Sequence, residues 1–137
     1  MTTTTDPDCP RRVPVSFELY PPRTDAAATA LTETIDRLAA ARPDFISVTY
    51  GANGSSRIAS LDVLSYILHA TGVEPMAHLT CVGSSHAEAS HLIREFLDAG
   101  VRSFLALRGD APEGTVDGES FLGDLKSAGE QIGRAHV

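Results

Sequence analysis

The chain is expected to fold as an α/β protein with parallel strands. Four short apolar runs, rich in β-branched and aromatic residues, recur about every 30 residues, the length of one strand–helix–strand unit. Helical periodicity follows each run. Polar residues gather where three of the runs stop, and α/β proteins build their sites at the C-terminal ends of strands. Four such units fit either a small doubly wound sheet or half of an eight-stranded barrel, and periodicity does not separate the two. A Gly-x-Gly-x-x-Gly turn after the first strand is absent, which weighs against a dinucleotide-binding fold, and there is no Walker-type phosphate loop.

The elements are read in order. The first strand is Val13 to Tyr20, stopped by Pro21 and Pro22, which cannot continue a ladder. A helix follows from Thr24 or Asp25 to Ala41, with Thr24 or Asp25 as N-cap and Leu31, Ile35 and Leu38 at i, i+4 and i+7. Pro43 ends it. The second strand is Asp44 to Tyr50, stopped by Gly51-Ala52-Asn53-Gly54. The second helix is placed at Ser60 to Ala70, with Leu61, Leu64, Ile67 and Leu68 as its apolar stripe and Thr71-Gly72 as its stop. Glu74 to Val82 is the third strand. Ser84 or Ser85 caps a third helix running to Ala99, with Leu92, Ile93, Phe96 and Leu97 facing inward and Gly100 at C′. The fourth strand is Val101 to Leu107. A glycine-rich acidic loop covers 109–119, and a fourth helix is expected over about 120–131.

Composition narrows the function classes. The 137 residues suffice for one domain, and 42% hydrophobic content suffices for a core. A net charge of −7 argues against general affinity for nucleic acid or an anionic membrane. Cys9 and Cys81 sit in unlike settings and form neither a disulfide framework nor a zinc spacing, which fits a reducing, cytoplasmic setting with no metal. No apolar stretch approaches a membrane span. The threonine-rich start has no h-region of a signal peptide, and residues 1–12 are read as a disordered tail.

Glu18 is the only charged residue inside its apolar run. A lone carboxylate at the end of a buried strand is costly unless paired or kept for work. The runs Ser16-Phe17-Glu18 with Pro21-Pro22-Arg23, Ser47-Val48-Thr49-Tyr50-Gly51-Ala52, His78-Leu79-Thr80-Cys81 and Leu107-Arg108-Gly109-Asp110 occur in that order. Together they closely resemble the bacterial flavoprotein type of methylenetetrahydrofolate reductase, over residues 13 to about 128. Any one motif is weak; four in order at matching spacing are specific. The resemblance implies a (β/α)8 TIM barrel of which about four βα units are present. It implies FAD at the C-terminal strand ends, NADH or NADPH as reductant, and reduction of the folate substrate 5,10-methylenetetrahydrofolate to 5-methyltetrahydrofolate for methionine synthesis. The full-length parent is expected to be a homo-oligomer.

The resemblance also assigns roles residue by residue. Glu18 matches the family's acid–base glutamate, which protonates the folate nitrogen as the five-membered ring opens. That chemistry needs an acid with a raised pKa, which an apolar strand end supplies by desolvation. Thr49 and Tyr50 match strand-two residues beside the flavin and nicotinamide, and Ala52 keeps the backbone close to the cofactor; without the resemblance, plain β-propensity is the better reading of Thr49 and Tyr50. His78 is assigned an FAD contact, against the ordinary reading of a satisfied core histidine. Cys81 reads as a small buried hydrophobe. Arg108 suits the cofactor's phosphate or ribityl region through its fork of donors. Gly109 permits close backbone approach. Asp110 matches an aspartate that bonds the pterin and tunes the flavin. The ordinary reading of Arg108-Gly109-Asp110 is a solvated loop ion pair.

Two departures stand out. Phe121 occupies a place where the family often has a cofactor-contacting tyrosine, so a ring contact survives but a hydroxyl bond does not. The family's barrel also needs eight βα units. Residues 13–131 are therefore expected to be the N-terminal half of a barrel, inactive alone, with two open sheet edges and an uncovered core that favour self-association. Ile132-Gly133-Arg134-Ala135-His136-Val137 reads as the in-frame translation of a common sequencing adapter, so 132–137 are expected to be non-biological. Two alternatives are weighed: another (β/α)8 flavoenzyme, proline-dehydrogenase-like, against which Glu18, Thr49 and Asp110 count; and a non-catalytic α/β interaction module, which stable folding without flavin would favour.

Overall fold

The computed structural model describes residues 12–50, 54–80 and 85–109. Four strands and three helices alternate: β1 (Ser16–Leu19), α1 (Asp25–Ala40), β2 (Phe45–Val48), α2 (Gly54–Ala70), β3 (Glu74–Thr80), α3 (His86–Asp98) and β4 (Ser103–Leu107). The strands form one parallel sheet in the order β1-β2-β3-β4. The order nowhere reverses, so the described strands contain no topological switch point of the doubly wound kind.

The helix ends follow local chemistry. Thr24 caps α1, its hydroxyl accepting from the Ala27 N–H. At the other end Arg42 stands in the left-handed region at φ 53° and donates its N–H to the Ala39 carbonyl. The next residue is Pro43, which has no N–H to make a second closing bond. Ser85 caps α3 in a complete capping box with Glu88. α3 closes on Gly100, with the Gly100 N–H bonded to the Leu97 carbonyl and the Val101 N–H to that of Phe96. These two bonds make a Schellman motif, and Gly100 at φ 96° supplies the backbone it requires.

Several boundaries differ from expectation, β2 being confined to Phe45–Val48 and β4 beginning at Ser103 rather than Val101. α2 starts at Gly54, six residues before Ser60; Gly54 and the two serines after it sit in the first turn, where their weak propensity costs little. β1 begins at Ser16 because Asp44 replaces the ladder below it: its side chain accepts from the Val15 N–H at 2.7 Å, while its own N–H donates to the Val15 carbonyl. Arg12, read as the last residue of the tail, donates to the Arg42 carbonyl and to Asp44. Residues 1–11, 81–84 and 110–137, which include Cys81, the acidic loop and the expected fourth helix, lie outside the described residues.

The core joins one face of the sheet to the helices. Leu19, Ile46, Val48, Ala77 and Leu79 pack with Ile35 of α1, Val63, Leu64 and Ile67 of α2, and Leu92, Ile93 and Phe96 of α3. In α2, Val63 is buried where Leu61 and Leu68 were expected; Leu61 packs at the margin of the core and Leu68 is half-buried. All the buried core residues in strands share one side-chain parity. Register places the other parity on the opposite face: Glu18 beside Ser47, Ser47 beside Met76, Met76 beside Ser103. That face carries Leu105 and Leu107, which are 40% and 37% exposed.

Candidate functional site

Parity and register decide which polar strand residues meet. Glu18 leaves β1 on the face away from the helices, as do Thr49 just beyond β2 and His78 and Thr80 on β3. Thr49 is fixed by two bonds to the Leu19 carbonyl, from its N–H at 2.9 Å and its hydroxyl at 3.2 Å. The ends of β1 and β2 are thereby clamped together. From the helix side Ser60, buried in α2, donates its hydroxyl to the Thr49 carbonyl at 3.0 Å.

His78 is the most unusual polar group on this face. It is buried, and its Nε2 has no hydrogen-bond partner among the described residues. Among the described residues it therefore lacks the partner that a satisfied core histidine would have. Burial pushes its pKa below the usual histidine value, and the Glu18 charge pulls it back up. The two residues therefore share an electrostatic environment across the sheet. Leaving a buried nitrogen unbonded costs about 1–3 kcal/mol.

Glu18 itself is exposed on an edge strand. The desolvation expected from an apolar strand end is not supplied by the described residues, because none of the described strands pairs with the outer edge of β1. Tyr50 goes the other way from Thr49. Its ring stands edge-on to Phe96 at 6.3 Å between centroids, on the helix side, and Phe96 makes the same contact with Phe104. Arg108 is exposed at the end of β4, and Gly109 follows at φ 85°, a conformation that favours glycine. Ala52, Asp110 and Phe121 lie outside the described residues.

A cleft of about 1080 Å³ opens between α1 and α2, lined by Tyr20, Thr24, Thr49, Tyr50, Asp62 and Tyr66 among others. It reaches the strand ends through Thr49 and Tyr50 but includes neither Glu18 nor His78, so it lies beside the Glu18 face. No group of His, Cys, Asp and Glu suited to a metal ion occurs among the described residues, and none of their helices is long and apolar enough to cross a membrane.

Sequence reasoning missed Ser60 and the ion pair of Arg57 with Glu95 across α2 and α3. Ser60 had a signal: it precedes Leu64 and Ile67 by four and seven residues, a hydroxyl in a buried stripe. The ion pair had none, since its partners lie 38 positions apart.

The family model of methylenetetrahydrofolate reductase matches residues 6–132. The chain is 40% identical over 114 residues to 5,10-methylenetetrahydrofolate reductase of Salmonella typhimurium, a match covering 83% of this chain and 38% of the relative. It is 37% identical over 122 residues to the reductase of Pectobacterium carotovorum, covering 89% of this chain and 41% of that protein. Methylenetetrahydrofolate reductase (NADH) 1 of Zea mays is 36% identical over 103 residues, 75% of this chain and 17% of the relative. The chain spans about two fifths of the length of the bacterial relatives it matches. It belongs to the methylenetetrahydrofolate reductase family.

Proposed function

We propose that residues 13–131 form the first four βα units of a (β/α)8 barrel that reduces 5,10-methylenetetrahydrofolate to 5-methyltetrahydrofolate, with FAD as cofactor and NADH or NADPH as reductant. The observation that carries this reading is the single sheet face holding Glu18, Thr49 and the buried Nε2 of His78, which has no partner among the described residues, in a chain of this family. The sequential parallel order of the strands, with helices on one face and a partly apolar opposite face, supports the barrel.

The residues present fit a flavin. Among the described residues His78 Nε2 lacks a partner, which a cofactor heteroatom would provide. Gly109 adopts a backbone that lets a ligand approach closely, and Arg108 beside it is an exposed guanidinium suited to phosphate. Bound FAD would pass on, as hydride, the electrons taken from the nicotinamide. Glu18, once covered by bound folate and the rest of the barrel, would deliver a proton to the folate nitrogen as the carbon–nitrogen bond of the five-membered ring opens, which readies the methylene carbon to accept hydride. Thr49 would orient the bound ring from its fixed place against Leu19, and Asp110 would hold the pterin. Tyr50 and Ala52 are proposed to lie against the cofactor, and Phe121 to contact it through its ring.

The test is a fusion of residues 1–131 to the remainder of the Salmonella typhimurium relative. The fusion is expected to purify with FAD and to oxidise a nicotinamide cofactor in the presence of methylenetetrahydrofolate. A folded fusion that takes up no FAD, or holds FAD and reduces no folate, refutes the reading.

A further inference from the structure

The sheet face away from the helices is covered in the middle and open at both sides. On the middle strands Ser47 and His78 are each only 5% exposed. Exposure rises at the two edge strands, at Glu18 on β1 and at Leu105 and Leu107 on β4. None of the described strands pairs with the outer edge of either. Edge strands are usually guarded by charge, proline or a bulge, because their free N–H and C=O groups invite another strand. β4 has neither a charged residue nor a proline from Ser103 to Leu107. β1 has the single charge of Glu18. The edges also differ in sign, since β4 is bracketed by the exposed Arg102 and Arg108.

We infer that this chain closes its sheet with a second copy of itself, the β4 edge of each copy pairing in parallel with the β1 edge of the other. This rests on the half-barrel reading. Four strands from each copy make eight, the number at which side chains just fill a barrel interior. A two-fold axis along the barrel makes the two seams identical, so the contact closes at two copies instead of growing into a filament. The acidic edge of one copy meets the basic-flanked edge of the other at both seams. Parity keeps Glu18 on the same face as Leu105 and Leu107. Glu18 is the next-to-last residue of β1 and Leu107 the last of β4, so both lie at the C-terminal end of the seam. Leu107 of the second copy thereby covers Glu18, which the described residues of one copy leave exposed. The candidate site is thus incomplete until the seam forms.

The experiment is analytical ultracentrifugation of the chain 1–137 and four variants, L107E, L107K, E18K/L107E and E18K/L107K, each checked for folding by circular dichroism. Wild type is expected to be a dimer. The two variants that place like charges across the seam, L107E and E18K/L107K, are expected to raise the dimer Kd about tenfold. The two that place opposite charges there, L107K and E18K/L107E, are expected to stay within about twofold of wild type. Within one copy residues 18 and 107 stand on opposite edges of the sheet, so only contact between copies produces this crossed pattern. A variant that fails to fold is set aside, and the remaining like-charged and opposite-charged variants carry the comparison. A folded wild-type monomer overturns the inference, as do assemblies that grow beyond two copies with concentration. Equal Kd values in the like-charged and opposite-charged variants also overturn it. Flavin plays no part in these readouts. An active fusion with the Salmonella typhimurium remainder beside a monomeric chain therefore refutes only the pairing with a second copy, and a folded fusion without FAD refutes only the function proposed above.

Discussion

Gly100 is where the packing of α3 can be tested most sharply. It occupies the C′ position of α3 at φ 96°, and a Cβ placed there would lie 2.8 Å from Leu68 Cδ2 on α2. Gly100→Ala therefore has two separable costs. A left-handed backbone costs an L-residue about 1–2 kcal/mol. The smaller entropy of the unfolded alanine chain returns about 0.4–1 kcal/mol. The backbone part thus nets about 1 kcal/mol. The steric part starts from the roughly 1–3 kcal/mol of overpacking. It belongs at the low end, because Leu68 is half-buried and its Cδ2 is the far end of a flexible side chain. The sum is about 2 kcal/mol. Urea unfolding followed by circular dichroism, at constant m-value, measures it. In a Leu68→Ala background the contact is gone, and the same substitution should cost only about 1 kcal/mol. A neutral Gly100→Ala would refute the left-handed cap. An equal cost in both backgrounds would refute the contact with α2.

Other consequences can be checked independently. The Glu88 carboxyl is held below its ordinary value by the Ser85 backbone N–H first and the Ser85 side chain second. A depressed folded pKa gives stability that is present above the unfolded value and lost as pH falls through the folded one. Wild type should therefore lose more stability than Glu88→Gln between about pH 5 and pH 2, as read by acid unfolding; parallel curves would contradict the capping box. Ser85→Ala should cost about 1 kcal/mol in urea unfolding, since it removes the cap of α3, and a cost near zero would contradict it. The imidazole of His78 should titrate below the ordinary histidine value by NMR, and Glu18→Gln should lower it further, because Glu18 is the group that raises it. With its folded pKa depressed, His78 lowers stability as pH falls below about 6.5, where the unfolded chain takes up the proton. In the fusion with the Salmonella typhimurium remainder, Glu18→Gln should reduce folate turnover by about 10²–10⁴-fold while leaving FAD bound; retained turnover would remove Glu18 as the acid.

Much of the fold was legible along the chain because its causes are local. Strand–helix alternation, the Thr24 cap, the Ser85 cap and the Gly100 stop each rest on residues within a few positions of one another. The Gly54 start of α2 was not legible, because a glycine followed by two serines reads as loop until the helix behind it is packed. The candidate site was legible as a set of residue types, with the four motifs pointing to Glu18, Thr49, Tyr50, His78, Arg108 and Gly109. Their grouping was not. Only pairing between strands puts Glu18, Thr49 and His78 on one face and turns Tyr50 to the other.

The sequence by itself determined the parallel α/β class and the family and narrowed the N-caps of α1 and α3 to two neighbouring residues each, because periodicity, capping chemistry and ordered motifs are all properties of short segments. Tertiary structure alone decided that, among the described residues, the strands run in unbroken sequential order, His78 is buried with an unbonded nitrogen, Glu18 stands exposed on an edge, and Arg57 finds Glu95. The physical reason is range. Strand order, burial and ion pairing depend on contacts between residues tens of positions apart, and no local propensity encodes them.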